Sequence, residues 1–231
     1  MTAPSFLALW NGVQPGRQDE YENWHSTEHM PERLGTPGFL AARRYRAATG
    51  DDYFTLYEME TLAALDSAAY AALMHQPTSW SLRMRQAMTG FRRLPCLPAW
   101  HRRMGLGGTL VTLRLDLPAD AALKTLRPIL EEALHQGAVF GAVLGGSDAA
   151  GKPYPVFPDA PVPGVECLLL LEGSEAAGPL ALAQRCAAAL AQDATPQIWR
   201  LLQSLRRSEL PDPMLARQPS RDDLMRRWSP G

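Results

Sequence analysis

The feature that most constrains this chain is a set of short extended segments with large apolar side chains on both faces. Residues 53–60 set Tyr53, Thr55, Tyr57 and Met59 against Phe54, Leu56 and Glu58, because successive side chains of a strand point to opposite sides. Segment 5–12 sets Phe6 and Trp10 against Leu7 and Leu9, and segment 197–206 sets Ile198 and Leu202 against Trp199 and Leu201. A sheet built from such strands cannot leave either face wet, since burying apolar surface stabilises by roughly 25 cal/mol per Å². It needs helices over one face and a second sheet, or its equivalent, over the other.

The order of elements shows where that second sheet comes from. After the strand at 5–12, residues 16–30 have helical spacing (Tyr21, Trp24, Glu28), and Pro31 is expected to end or restart that helix. Thr36-Pro37-Gly38 is a turn. Strands follow at 39–48 and 53–60, then helices at 62–74 and 78–88 and a fourth strand at 90–97. The β-α-β-β-α-β order, with a hairpin between the two crossovers, is the split arrangement of ferredoxin-like folds. The second half repeats it: strand 108–117, helix 119–136 carrying a potentially kinking Pro128, strands 138–146 and 165–173, a helix opening near Pro179, and strand 197–206. The expected fold is α+β, with tandem ferredoxin-like units closing on each other as a single-chain α/β barrel. Residues 1–104 form the first unit, 105–207 the second and 208–231 a C-terminal arm, with Trp228 as an anchor. The barrel interior is the expected small-molecule pocket. Residues 145–164 are long for a hairpin connection and read either as a mobile loop or as a lid.

Charge and cysteine content remove several classes of function. Lys and Arg total 23 against 24 Asp and Glu, a formal net charge of −1, so no long-range field draws in a nucleic acid. The three cysteines, Cys96, Cys167 and Cys186, form no C-x-x-C pair and suit neither a thiolate zinc site nor a disulfide framework. No apolar run reaches the roughly 20 residues of a membrane span, and no basic leader precedes an apolar segment. A cytoplasmic protein is expected, without a nucleic-acid or membrane partner. It would be a monomer or a homodimer, because the sheet pairing is internal.

Trp24, His29, Pro31 and Glu32, then Pro37-Gly38-Phe39 and Arg43-Arg44-Tyr45, spell a W-x-x-x-x-H-x-P-E stretch, a Pro-Gly-Phe turn and an Arg-Tyr strand. Across residues 5–92 this resembles the EthD-like branch of the dimeric α/β-barrel superfamily; the second half resembles it only in element order. The resemblance implies the barrel fold. It also implies, as one member of a varied set, a cofactor-independent enzyme acting on a small aromatic or polyketide-like compound. The alternative is a binding or accessory protein that holds such a compound unchanged.

Four groups of residues are candidates for chemistry. His25 and His29, with Glu28, spell H-x-x-E-H, the order of an inverted zinc-protease motif; Pro31 and the missing third ligand weigh against a metal, and none is assigned. His29 is a candidate general acid/base, oriented by Glu28 or Glu32 and favoured in its protonated form by a helix C-terminus; the structural alternative is a cap on the Pro31 junction. Arg43 and Tyr45 share one face of their strand and Arg44 takes the other, so one face offers a carboxylate or enolate clamp and the other a salt bridge to an acid such as Glu22. Trp10, Trp24 and Tyr57, with Tyr53, are candidate substrate contacts, or core. The expected catalytic set is thus His29, Arg43 and Tyr45, with no cofactor. Haem would need an axial histidine on a second-half helix, where only His135 stands.

Overall fold

The computed structural model describes residues 3–147 and 154–228. Eight strands, β1 (Ser5–Val13), β2 (Phe39–Ala47), β3 (Tyr53–Met59), β4 (Met88–Arg103), β5 (Thr109–Leu115), β6 (Gly141–Gly146), β7 (Cys167–Gly173) and β8 (Gln197–Arg206), close into a barrel in the order β1-β3-β2-β8-β5-β7-β6-β4. Every strand pair is antiparallel. The sequence of neighbours repeats: 4-1-3-2 in the first half and 8-5-7-6 in the second. The second strand of each half pairs with the fourth of the other, β2 with β8 and β6 with β4. The 16-residue β4 serves both halves, with residues 88–96 beside β1 and residues 97–103 beside β6. Closure gives each of the eight strands a partner on both sides, the β5–β8 seam being the shortest at four residue pairs.

The inward faces meet as one core that includes Phe6, Trp10, Tyr45 and Phe54 from the first half and Leu168 and Trp199 from the second. Trp199 Nε1 donates to Thr112 Oγ1 at 2.9 Å, satisfying its one polar atom. Gly145 lies against Phe6 so closely that a Cβ there would stand 2.5 Å from the ring. The barrel interior is therefore filled by side chains, and the pocket expected there is not: bulky aromatic residues from both halves occupy the space. Inward-facing charges pair with each other. Arg43 donates to Glu58 and to Glu172 (2.7 Å), and Arg103 also reaches Glu58 (2.7 Å). Arg92 and Arg114 share Glu166 at 2.7 and 3.6 Å.

Helices cover the outside. Over the second half, α5 (Ala119–His135) and α6 (Ala177–Ala189) bury Leu126, Leu130 and Leu182 against the sheet. The α5 helix runs unbroken through Pro128, which is exposed on its outer side. The first half is covered by α1 (Gln18–Trp24), α2 (Met30–Gly35), α3 (Ala68–His75) and α4 (Ser79–Ala87). The expected helix over 62–74 splits in two, a 3₁₀ turn at Leu62–Asp66 and then α3, whose first turn is capped when Ser67 Oγ accepts from Tyr70 N–H (3.2 Å).

Pro31 does not end the helical run, but the α-helical pattern restarts there, with the proline in the first turn of α2. Between α1 and α2 the backbone widens into a π turn over His25–His29, where Met30 N–H bonds the carbonyl of His25 five residues back. A wider turn makes room for a proline ring that would clash inside a regular helix. The helix continues to Gly35 and stops at the Thr36-Pro37-Gly38 turn, with Gly38 at φ +87°.

The C-terminal arm docks on these helices. Leu224, in α7 (Asp222–Met225), and Trp228 join Trp24, Trp80 and Met84. No described helix is long and apolar enough to cross a membrane.

Candidate functional site

A cavity separates the outer face of β4-β1-β3 from the helices of the first half. Its floor is made by outward-pointing strand residues, among them Leu7, Leu9, Thr55 and Tyr57. The π turn supplies one wall. A five-residue turn brings Trp24, His25 and His29 together on the sheet side, with ring centroids 4.4 Å apart for Trp24 and His29 and 5.0 Å for the two histidines. Trp24 is fully buried and donates through Nε1 to Ser81 Oγ at 3.3 Å, which fixes the wall to α4. Arg33, one helical turn past His29, and Arg85 from α4 complete this side.

The inner pocket is small, about 40 Å³, and opens into a groove of about 1280 Å³ between α3, α4 and β4. The groove is covered by residues of the β6–β7 connection. Tyr154 and Phe157 stack on Phe91, Phe157 at 4.0 Å and 16° and Tyr154 at 5.8 Å and 21°. So the second half, whose own sheet is packed tightly under α5 and α6, contributes the cover of a cavity in the first. Of segment 145–164, residues 154–163 lie over this groove; residues 148–153 lie outside the described part.

Polar atoms without protein partners face this space. Nδ1 of His25, Nδ1 of His29, the Tyr57 hydroxyl, one terminal nitrogen of Arg33 and Nε of Arg93 are all buried and unbonded among the described residues. His25 has one weak contact, Nε2 to Thr55 Oγ1 at 3.5 Å. Buried polar atoms are normally satisfied, so such a cluster at a cavity marks where a ligand or water completes it. Both histidines are held neutral, their pKa driven well below the usual imidazole value. Burial is the main cause, and Arg44 (for His25) and Arg33 (for His29) add to it. Burial also keeps the Tyr57 hydroxyl protonated far above the ordinary phenol range.

The helix dipole has no part in this. The helix runs six residues past His29, so His29 is not at a C-terminus and is not favoured as a cation. Nor do the neighbouring acids orient it. Glu28 accepts from Thr78 Oγ1 and from Arg221 N–H, both at 2.6 Å, and Glu32 pairs with Arg217 at 3.3 Å. Glu28 thus turns away from the two histidines, and no group of three metal-binding side chains forms among the described residues.

The structure brings together three of the six residues singled out from the sequence, His29, Trp24 and Tyr57. Arg43, Tyr45 and Trp10 lie on the opposite face of the same sheet, in the filled interior. Trp10 pairs with Phe54 and Tyr45 with Phe54 across the strands, and these even and odd positions share the inward face, whereas Tyr57 points outward. Arg44, outward, makes the salt bridge to Glu22 (2.9 Å) and bonds Ser26 Oγ (2.7 Å). Sequence reading missed His25 as a pocket residue and Arg33, Arg85 and Arg93 altogether. The spacing of His25, His29 and Arg33 by four was the available signal, hidden by the assumption that Pro31 breaks the helix.

No family model and no curated protein sequence matches the chain. Among solved structures it is similar to an anthrone oxidase-like protein, with TM-score 0.65 and 9% identity over 89% of this chain and 94% of that one. It is similar to candidate monooxygenases of Lactobacillus acidophilus (TM-score 0.52, 10% identity, 88% of this chain and 96% of that one) and Fusobacterium nucleatum (TM-score 0.55, 10% identity, 89% and 96%). At these identities the likeness is one of fold. The chain has the dimeric α/β-barrel fold, with both halves in one polypeptide.

Proposed function

We propose that this protein is a cofactor-independent enzyme that removes a proton from a small aromatic or polyketide-like compound, with His29 as general base. The observation that carries the reading is a neutral imidazole, unbonded to protein, in a buried pocket whose other unpaired groups include the Tyr57 hydroxyl. A neutral imidazole is the form that can accept a proton. A protonated tyrosine beside it can donate a hydrogen bond to the oxygen on which the negative charge collects. Trp24 and the aromatic cover give a flat substrate apolar surfaces on two sides. Arg33, which opposes protonation of His29, stabilises the anion once the proton has moved. EthD-like proteins, which the residue 24–45 motifs resemble, include enzymes of this kind.

Arg43, Tyr45 and Trp10 serve this reading as structure, holding the sheet from behind. We further place the protein in the cytoplasm, in keeping with its three buried free thiols, as a monomer or a dimer of whole barrels. One observation favours a second reading, a protein that binds such a compound without transforming it. Among the described residues no carboxylate or carbonyl fixes the orientation of His29, as one does in most general bases.

Anthrone and dioxygen test both readings, the probe being suggested by the anthrone oxidase-like fold neighbour. Loss of a methylene proton gives the anthrolate anion. Its oxidation by O₂ yields anthraquinone and one water, so one O₂ is consumed per anthrone. The expected outcome is O₂ uptake above the protein-free rate, falling about a hundredfold or more in His29→Gln with the circular dichroism unchanged. Binding of anthrone without uptake supports the non-catalytic reading. Neither binding nor uptake overturns a site for planar aromatic compounds.

A further inference from the structure

The inner pocket carries more positive charge than proton transfer needs. Its lining includes Arg33, Arg85 and Arg93 and no aspartate or glutamate. Arg33 is 5% exposed, has a buried terminal nitrogen without a partner, and its guanidinium lies 5.6 Å over the Tyr70 ring. Arg93 likewise has a buried, unbonded Nε and lies 4.7 Å over the ring of Tyr154. Arg85 donates only to main-chain carbonyls, of Leu73 (3.2 Å) and Met74 (3.3 Å). None of the three is in an ion pair among the described residues. The contrast with other arginines of the same molecule is sharp: Arg43, Arg44, Arg92 and Arg103 each have a carboxylate within 3 Å. Glu32, the acid next to Arg33 in the chain, interacts electrostatically with Arg33 and Arg85 but forms its ion pair with Arg217 (3.3 Å), so one carboxylate is shared among three arginines. Asp66 and Asp159 line only the outer groove.

Gathering one buried and two half-buried guanidinium groups around a single shared carboxylate is costly unless something else pairs with them. A single oxyanion formed during the reaction would answer one guanidinium for the lifetime of that intermediate. A ligand that arrives ionised answers them in the ground state. Resting on the reading of this cavity as a small-molecule site, we infer that the bound compound carries a carboxylate, held by Arg33 and Arg93 with Arg85 beside them, while its planar body lies among the aromatic side chains of the cover. Planar guanidinium groups match a carboxylate in two-point hydrogen bonds. Guanidinium groups hold phosphate in the same way, but phosphate sites commonly add main-chain N–H groups at helix N-termini or glycine-rich turns. Here the charged groups are side chains from a strand and from the last turns of two helices.

Three naphthalenes of like shape serve as probes: 2-naphthoate, 2-naphthalenemethanol and 2-naphthyl phosphate, with affinities read by fluorescence titration. The expected result is 2-naphthoate binding at least tenfold more tightly than the alcohol. Arg33→Met and Arg93→Met should each weaken 2-naphthoate tenfold or more and leave the alcohol unchanged. Arg33→Lys, which keeps the charge but not the two-point geometry, should recover only part of the affinity lost in Arg33→Met, and an unchanged thermal midpoint in all variants separates lost recognition from lost folding. Equal affinity for acid and alcohol would overturn the carboxylate while leaving the cavity as an aromatic-binding site. Tightest binding of 2-naphthyl phosphate would overturn it in favour of a phosphate ester. Binding of none of the three would overturn both the inference and the site reading beneath it.

Discussion

His25 and His29 sit side by side, neutral, between a tryptophan and two arginines, and their ionisation ties the site to the stability of the fold. The pKa of His25 is lower in the folded protein than in the unfolded chain. Between those two values the unfolded chain binds a proton that the folded one does not. Stability is therefore complete above about pH 6.5 and declines as the pH falls below it, by at most about 1.4 kcal/mol per pH unit for this one group. The raised pKa values of the buried carboxyls Glu32 and Glu172 act with the opposite sign, so the comparison that isolates the histidine is with His25→Asn. Urea denaturation from pH 7.5 to 5.0 should show a shallower acid decline in that variant; identical slopes would mean that His25 is not held neutral. At this scale, His29, Trp24 and Tyr57 were legible because motif and strand parity placed them. Trp10 and Tyr57 stand on different strands, so only the register of β1 on β3 separates them, and which face turns inward is decided by the partner sheet. Arg85 and Arg93 carry no local signal, since solvated and cavity-lining arginines look alike in a sequence.

The helix that carries the histidines is held from outside by the C-terminal arm. Leu224 is buried against Trp24 and Trp80, and Arg221 N–H bonds Glu28, the residue between the two histidines in the π turn. Truncating a leucine at this position, at the edge of its cluster, should cost about 2–3 kcal/mol of unfolding free energy. Because the same helix forms the pocket wall, Leu224→Ala should also weaken binding of the aromatic probe. Denaturant titration and fluorescence titration on one variant check both; a loss of stability without any effect on binding would make the arm a brace for the fold only. Strand and helix positions were largely readable from periods of two and of about 3.6 residues. The π turn was not, because a proline shows that a regular helix cannot pass, without showing how the backbone will yield. Nor does a Pro-rich connection show what it covers: Phe91, the partner of Tyr154 and Phe157, is distant in sequence and belongs to the other half.

Closure of the barrel decides what each half can do alone. The inward face of β1–β4 carries Phe6, Trp10, Tyr45, Phe54 and Leu56, all buried only because β5, β7 and β8 lie opposite. A fragment of residues 1–104 would leave that face and the edges of β2 and β4 open. It should not persist as a folded monomer, but should pair with itself through those edges or aggregate, as light scattering after size exclusion would show. A folded monomeric fragment would mean that the interior contacts are dispensable.

Strands with two apolar faces determined by themselves that two covers were needed, and the repeated element order supplied a second sheet. That follows from local alternation and the hydrophobic effect, which act wherever the residues stand. Only the tertiary structure decided that the interior is solid and the cavity lies outside the sheet. The outcome turns on the summed volume of side chains from both halves, on the detour the backbone takes before Pro31, and on a loop reaching across from the second half. These are contacts between residues far apart in the chain, and no local pattern encodes them.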